Sequence, residues 1–272
     1  LDLLFVAVLG YGVGAAALAT TIAQSLSAIL AFRRLTRPGT EYQVCWRQVR
    51  PDGPMLKQIL AIGLPSGVQN SIISLANVIV QSNINQFGPH AMAGCGVYFK
   101  IEGFGFLPIT CFAMALSTFV SQNLGAGKPD RVRKGSIYGT LCSVGIAELV
   151  GVAVCAGAPW LMAAFNREAD VIAYGVQQAH IETLFWCLLG LSHCSAGILR
   201  GAGKAKVSMV IMLLCWCLIR ITYITITVSI LHDIRVVFWA YPITWGLSGI
   251  LFTLYFKSQW KNLIRPAAMK VE

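Results

Sequence analysis

The chain has 272 residues, of which 56% are hydrophobic and only 12% are charged, and its formal net charge is +10. This composition lies far from that of ordinary soluble domains and predicts a protein embedded in lipid. Residues 3–32 and 58–99 contain no Lys, Arg, Asp or Glu. Either run is longer than the roughly 20 residues that cross a bilayer.

The chain begins with Leu1 inside an apolar run, where a charged amino terminus would lie in hydrocarbon. We therefore expect the sequence to be part of a longer protein. Turn residues and charge clusters predict an all-α, polytopic membrane protein with an N-terminal helix stub and seven full spans. The stub covers residues 1–9, and the spans are expected over residues 13–32, 58–84, 91–121, 135–160, 171–199, 207–231 and 236–256.

Basic residues are distributed unequally between the predicted loops. Seventeen Lys and Arg fall on one side of the membrane, in residues 33–57, 122–135, 200–206 and 257–272, whereas only Arg167 and Arg235 fall on the other. The positive-inside rule therefore predicts a plasma-membrane protein whose C-terminus is cytoplasmic. The basic excess indicates topology and not nucleic-acid binding. The nine cysteines are scattered without a CxxC pair, which predicts small hydrophobic side chains instead of disulfides or metal ligands.

Two loop features bear on domain organisation. The stretch 33–57 is the best boundary between two helix bundles, and it is either an interfacial segment or a plain cytoplasmic loop. The string Gly-Ala-Gly-Lys occurs at residues 125–128 and again at 201–204, each time after a predicted span. This repetition hints at an internal duplication.

Ionisable side chains inside the spans are the candidate functional residues, because a charge is expensive in lipid. They are Asp2, Lys100, Glu102, Glu148, Glu182 and Arg220. A rise of about 1.5 Å per residue places the last five near the membrane midplane. Residues two apart on a helix point roughly 200° apart, so Lys100 and Glu102 must find partners on different helices.

Two interpretations of these charges remain open. Lys100 and Arg220 either neutralise two glutamates and hold helices together, or the cluster lines a water-filled cavity with one residual negative charge that suits a cationic solute. Polar residues of the second full span favour a cavity-facing surface; they are Gln69, Asn70, Asn77, Gln81 and Asn83. His193 is expected to be a hydrogen-bonded residue between helices.

Four strings resemble the multidrug and toxic compound extrusion (MATE) transporters. Residues 63–70, GLPSGVQN, resemble the start of the family's seventh helix, and residues 121–128, SQNLGAGK, resemble the loop after its eighth. Residues 197–203, GILRGAG, resemble the end of helix ten, and Leu1-Asp2 with residues 14–20, GAAALAT, resemble the junction of helices five and six. The resemblance covers nearly the whole chain in family-like order.

The resemblance implies two six-helix lobes around a central cleft. Residues 1–34 would then end the first lobe, 35–56 would form the inter-lobe linker, 57–260 the second lobe and 261–272 a cytoplasmic tail. The implied function is alternating-access export of small, mostly cationic organic compounds in exchange for Na⁺ or H⁺ across a bacterial cytoplasmic membrane. The N-terminal lobe of the same protein would be the missing partner. The expected substrate-cavity residues are Gln69, Asn70, Lys100, Glu102 and Glu182.

The coupling-ion site is also implied by the resemblance. One branch of the family carries coupling carboxylates at positions that correspond here to Ile73 and Leu189, neither of which can bind a cation. The other branch builds its site from an aspartate of helix one, an Asn-x-x-x-Asp of helix five and a threonine of helix six, and Asp2 and Thr20 match the last two elements. Both residues lie roughly 11 to 12 Å from the intervening turn, so they would meet at one depth. Apart from Na⁺ at this site, no metal or cofactor is expected.

Two rival functions differ in the side chains that they require. A lipid-linked saccharide flippase of the same superfamily would need a more cationic cavity for pyrophosphate. A membrane-embedded transferase would need a convergent constellation of His, Asp or Ser at one membrane face, and the sequence offers none. We therefore expect a transporter and not an enzyme.

Overall fold

The computed structural model describes residues 3–8, 10, 13–39, 43–45 and 50–263. This described part of the chain is helical and contains no strand, which confirms the predicted all-α class. The chain divides into two compact units, Leu1–Leu56 and Lys57–Glu272. In the first unit, a π-helical segment covers Leu3–Val8 and helix α1 covers Val13–Leu35.

The second unit contains the remaining helices, except that α2 begins four residues before the boundary. These helices are α2 (Gly53–Asn85), α3 (Pro89–Gly125), α4 (Pro129–Ala163), α5 (Ala169–Glu182), α6 (Trp186–Gly201), α7 (Ala205–Met212), α8 (Arg220–Leu231) and α9 (Arg235–Leu263). A 3₁₀ turn, Thr183–Phe185, joins α5 to α6, and a π-helical segment, Leu213–Ile219, joins α7 to α8. Each of these pairs therefore forms one continuous rod with an irregular middle.

Six helical rods among the described residues are long and apolar enough to cross a membrane. They contain the six predicted spans between residues 58 and 256. The first predicted span, 13–32, lies inside α1, a helix of 23 residues that is not among the six. The outer surfaces of the rods carry large apolar side chains; examples are Phe104, Leu149 and Leu254. Such surfaces suit contact with lipid tails, so the chain is a multi-pass membrane protein.

The two Gly-Ala-Gly-Lys strings form the same turn. After α3, the Lys128 N–H donates to the Asn123 carbonyl at 2.9 Å, and after α6 the Lys204 N–H donates to the Leu199 carbonyl at 2.8 Å. Both turns place a glycine, Gly127 or Gly203, at positive φ. This is the helix-ending arrangement in which glycine takes the left-handed position without steric cost. The repeated sequence therefore encodes a repeated helix stop.

Close contact between α3 and α6 organises the core of the second unit. A Cβ built on Gly197 would lie 2.3 Å from the Ala113 carbonyl oxygen, and one built on Gly201 would lie 2.3 Å from the Ser117 carbonyl oxygen. The two glycines are one helical turn apart, as are the residues that they face, so the backbones touch along two consecutive turns. Small residues commonly permit such approach between membrane helices.

Candidate functional site

A cavity of about 790 Å³ opens inside the second unit. Its wall combines polar residues of α2 with aromatic residues of α3, α9 and the π-helical segment. Its lining includes Gln69, Asn70, Ile73, Asn77, Gln81, Glu102, Phe106, Leu189, His193, Arg200, Trp216, Arg220, Tyr241 and Trp245. Polar and apolar residues contribute about equally to this wall, so it can offer a small organic molecule both hydrogen bonds and apolar surface.

The polar stripe of α2 faces this cavity. Asn70, Asn77 and Gln81, which the helical spacing placed on one face, all line it, and so does Gln69. Asn83 does not line the cavity, and its amide donates to the Ile79 carbonyl of its own helix at 2.9 Å. Pro65 lies at the N-terminal end of the stripe, inside α2. A helical proline leaves a carbonyl without its usual donor, which is tolerated in a membrane protein where polar groups or water are near.

The structure separates Lys100 from Glu102. Glu102 is partly buried and lines the cavity. Lys100, which we expected in the cavity, is exposed on another side of α3, and its Nζ lies 5.8 Å from the centre of the Phe165 ring. The helical geometry explains this difference, since residues two apart cannot share a face.

Glu182 lies behind the cavity wall and is completely buried. Its Oε1 accepts a hydrogen bond from Gln178 Nε2 at 2.8 Å. Arg220 lies in the cavity wall and is only 2% exposed. Its Nε and Nη2 donate to Thr244 Oγ1 at 3.1 and 2.7 Å, and its guanidinium lies 4.4 Å from the centre of the Tyr241 ring.

Both buried side chains lie where their membrane-crossing helices depart from α-helical geometry. Glu182 is the last residue of α5 before the 3₁₀ turn, and Arg220 is the first residue of α8 after the π-helical segment. Glu148 of α4 stabilises the 3₁₀ turn between α5 and α6. Its Oε2 accepts a hydrogen bond from the backbone N–H of Cys187 at the start of α6. Interrupted helices at membrane depth are typical of transporter binding sites.

An aromatic group covers one side of the cavity. The His193 ring lies edge-on to Phe106 and Trp216, with centroid distances of 4.9 and 5.3 Å. His193 Nε2 is buried without a hydrogen bond among the described residues, so the expected interhelical hydrogen bond is wrong for this nitrogen. The ring instead contributes a flat packing surface.

Arg200 is a cavity residue that sequence reasoning missed. Its place near the end of α6 assigned it to a basic cytoplasmic loop, yet it lines the cavity with His193 and Leu189. Their spacings of four and seven residues along one helix could have identified the shared face. The cavity and its buried surroundings therefore contain Glu102 and Glu182 against Arg200 and Arg220.

The implied coupling positions fall in different parts of the chain. Ile73 and Leu189, which are apolar where one MATE branch has carboxylates, both line the cavity. Thr20 is exposed within α1 of the first unit. Asp2 lies outside the described residues, so its pairing with Thr20 stays a prediction.

Comparison with known proteins identifies related sequences and folds. The model of the family MatE matches residues 65–226, which is more than half of the chain. The chain is 23% identical over 223 residues to "Probable multidrug resistance protein YpnP" of Bacillus subtilis (strain 168), covering 80% of this chain and 48% of that protein. It is 26% identical over 201 residues to "Probable multidrug resistance protein NorM" of Thermotoga maritima, covering 74% and 43%.

Solved structures share the fold. A MOP superfamily transporter from Pyrococcus furiosus Vc1 (DSM3638) superposes with a TM-score of 0.89 at 20% identity, covering 97% of this chain and 60% of that chain. The outward-facing conformation of a multidrug resistance MATE family transporter gives 0.88 at 21% identity, covering 97% and 59%. The chain spans about half the length of the curated relatives it matches.

Proposed function

The chain belongs to the MatE family, and on that premise we propose that the full-length protein is a secondary active antiporter that exports organic, mostly cationic compounds in exchange for Na⁺ or H⁺. The observation that carries the proposal is the cavity of about 790 Å³, in which Glu102 is the acidic lining residue. Relatives described as multidrug resistance proteins support it.

The cavity wall offers two kinds of contact to an amphipathic cation. The rings of Phe106, Trp216 and Trp245 provide flat apolar surface, and aromatic faces attract cations. The Glu102 carboxylate can pair with an ammonium group, and the amides of α2 can accept or donate hydrogen bonds. A wall that offers several contacts of this kind can bind compounds of different shapes, which a multidrug exporter requires.

Neutralising Glu102 tests the substrate class. We expect Glu102→Gln in the full-length transporter to weaken binding of organic cations about tenfold to hundredfold, because a charge-assisted contact is worth roughly 1.5 to 3 kcal/mol. Neutral compounds of similar size should bind as before. Binding can be measured by calorimetry on purified protein, and export by dye efflux from cells.

Glu148→Gln is the matched control for this experiment. Glu148 is also a glutamate within a span, but its carboxylate binds a backbone N–H, which a glutamine oxygen can accept as well. Equal loss of cation binding in both variants, or no loss in Glu102→Gln, would show that the charge of Glu102 does not select substrates.

A second candidate function follows from the arginines. Arg200 and Arg220 both line the cavity and could hold the pyrophosphate of a lipid-linked saccharide. Glu102 lines the same cavity and opposes such an anion, so we rank a flippase second. Transport of a lipid-linked saccharide, with no effect of organic cations, would favour this candidate.

The orientation that we propose has the basic loops and the C-terminus in the cytoplasm. A single cysteine at position 128 or 204 should then resist an impermeant thiol reagent in intact cells, whereas a cysteine at 167 or 235 should react. The unmodified protein, whose nine cysteines set the background, is the control. Labelling at 128 together with protection at 167 would show that the topology is the reverse of the one proposed.

A further inference from the structure

The buried side chains of Glu182 and Gln178 have more hydrogen-bond acceptor atoms than there are donors to them. Glu182 and Gln178 are both 0% exposed, and their Oε2 and Oε1 atoms have no hydrogen bond among the described residues. The hydroxyl of Tyr98, also buried without a short hydrogen bond, interacts with the Glu182 carboxylate. One hydroxyl can satisfy only one of the two acceptors, and the buried indole N–H of Trp186 interacts with the Tyr98 hydroxyl itself. Buried acceptors without donors are rare in folded proteins, so another donor is needed here.

Arg220 does not supply this donor in the present conformation. Two of its N–H groups are directed to the neutral hydroxyl of Thr244, and its guanidinium packs against the rings of Tyr241 and Trp216. The acid–base contacts within 4.0 Å in the described part of the chain are His90–Glu168 and Arg235–Asp233, and neither involves Arg220. Arg220 therefore interacts with the two glutamates only at longer range.

The charges of the side chains around Glu182 do not balance unless one carboxyl group is neutral. Glu102 and Glu182 oppose one arginine, Arg220, whereas Arg200 has His193 as its electrostatic neighbour. The other titratable groups that interact with this cluster are thiols and phenols, which carry no charge at neutral pH; they are Cys95 and Tyr98 of α3, Cys215 and Cys217 of the π-helical segment and Tyr241 of α9. A charged carboxylate without a paired cation is strongly unfavourable at Glu182, which is completely buried.

We propose that Glu182 is a proton-binding site of this unit, protonated in the conformation described, with Arg220 as its internal counter-ion. The inference rests on the proposed antiport function and deepens it. A proton on Oε2 supplies the missing donor and removes the unbalanced charge. When the proton leaves, by way of Glu102 to water in the cavity, the Arg220 guanidinium exchanges Thr244 for the Glu182 carboxylate.

This exchange links protonation to the substrate cavity. Trp216, Tyr241 and Arg220 all line the cavity, so a movement of the guanidinium changes its wall. The irregular helix turns next to Glu182 and Arg220 leave local freedom for such a shift. An organic cation that occupies the aromatic surface repels Arg220 towards Glu182 and favours release of the proton. Binding of one cation would thus expel another, as an exchanger requires.

Proton release on substrate binding tests this inference. The full-length protein, in weakly buffered detergent solution with a pH-sensitive dye, is mixed with an organic cation such as tetraphenylphosphonium. We expect wild type to release protons on binding and Glu182→Gln to release none, although glutamine still accepts the hydrogen bond from Gln178. Glu148→Gln should behave as wild type, and Asp2→Asn should retain the release that depends on Glu182.

Several outcomes separate this inference from the proposed function. If wild type binds and exports the cation but Glu182→Gln releases as many protons, the Glu182 site is wrong and the exporter stands. The Glu182 site is also wrong if proton release is lost only in Asp2→Asn, or if substrate binding releases Na⁺ and no proton. If wild type neither binds nor exports organic cations, the proposed function itself is wrong.

A second variant keeps the inference falsifiable if Glu182→Gln fails to fold. Thr244→Val removes the hydroxyl that holds Arg220 and preserves the shape of the side chain. The guanidinium should then pair with Glu182 before substrate binds, so fewer protons are released at the same pH. Release equal to wild type in Thr244→Val would contradict the role of Arg220.

Discussion

Replacing Asp2 with asparagine should abolish gradient-driven export while leaving substrate binding intact. Asparagine keeps hydrogen-bonding capacity but cannot take up a proton or neutralise a bound Na⁺. A carboxylate at membrane depth needs a cation, a proton or strong donors, and a threonine hydroxyl such as that of Thr20 can join it in coordinating a hard cation. If the two residues form the coupling site, loss of the charge uncouples the gradient from substrate movement.

This prediction can be measured on the full-length transporter in proteoliposomes. Efflux of a fluorescent organic cation is followed under an imposed Na⁺ or pH gradient, and substrate affinity is measured separately in detergent. Asp130→Asn is the matched control, because Asp130 is exposed in the first turn of α4. If Asp2→Asn exports at the wild-type rate with unchanged Na⁺ and pH dependence, Asp2 instead anchors the turn that follows it.

Replacing Gly197 with alanine should destabilise the second unit by about 1 to 3 kcal/mol or more, and leucine should prevent accumulation of folded protein. The alanine Cβ would lie 2.3 Å from the Ala113 carbonyl oxygen, a contact with backbone that no side-chain rotation can relieve. Helices α3 and α6 would have to separate, and α6 also carries the cavity residues His193 and Arg200. Thermal unfolding of the purified full-length protein measures the effect.

Gly145→Ala, in the same unit, should have the opposite effect on the stability of the protein. Gly145 is in the middle of α4, and a Cβ there has no atom within 4 Å beyond its local helical surroundings. Alanine should therefore stabilise the protein by roughly 0.5 to 1 kcal/mol, because it loses less backbone entropy than glycine on folding. If the two alanine variants unfold at the same temperature, the close approach of α3 and α6 does not limit stability.

The positions of the helices could be predicted because the bilayer imposes a strict rule on the sequence. A segment in hydrocarbon must satisfy its backbone polar groups internally and must be apolar over about 20 residues. Long apolar runs separated by glycine, proline and charge therefore revealed six of the rods directly. Helical spacing likewise predicted that Asn70, Asn77 and Gln81 share a face, and all three line the cavity. The lobe assignment and the coupling site of Asp2 and Thr20 stay predictions.

Depth and spacing along single helices could not decide which charges meet. Lys100 was expected in the cavity but is exposed near Phe165, whereas Arg200 was expected in a loop but lines the cavity. The sequence by itself determined the class of protein, its family and its membrane-crossing helices, because these follow from hydrophobicity and local motifs. Only the tertiary structure decided that Arg220 binds Thr244 while one oxygen of Glu182 lacks a donor, because the rotation and packing of neighbouring helices set those distances.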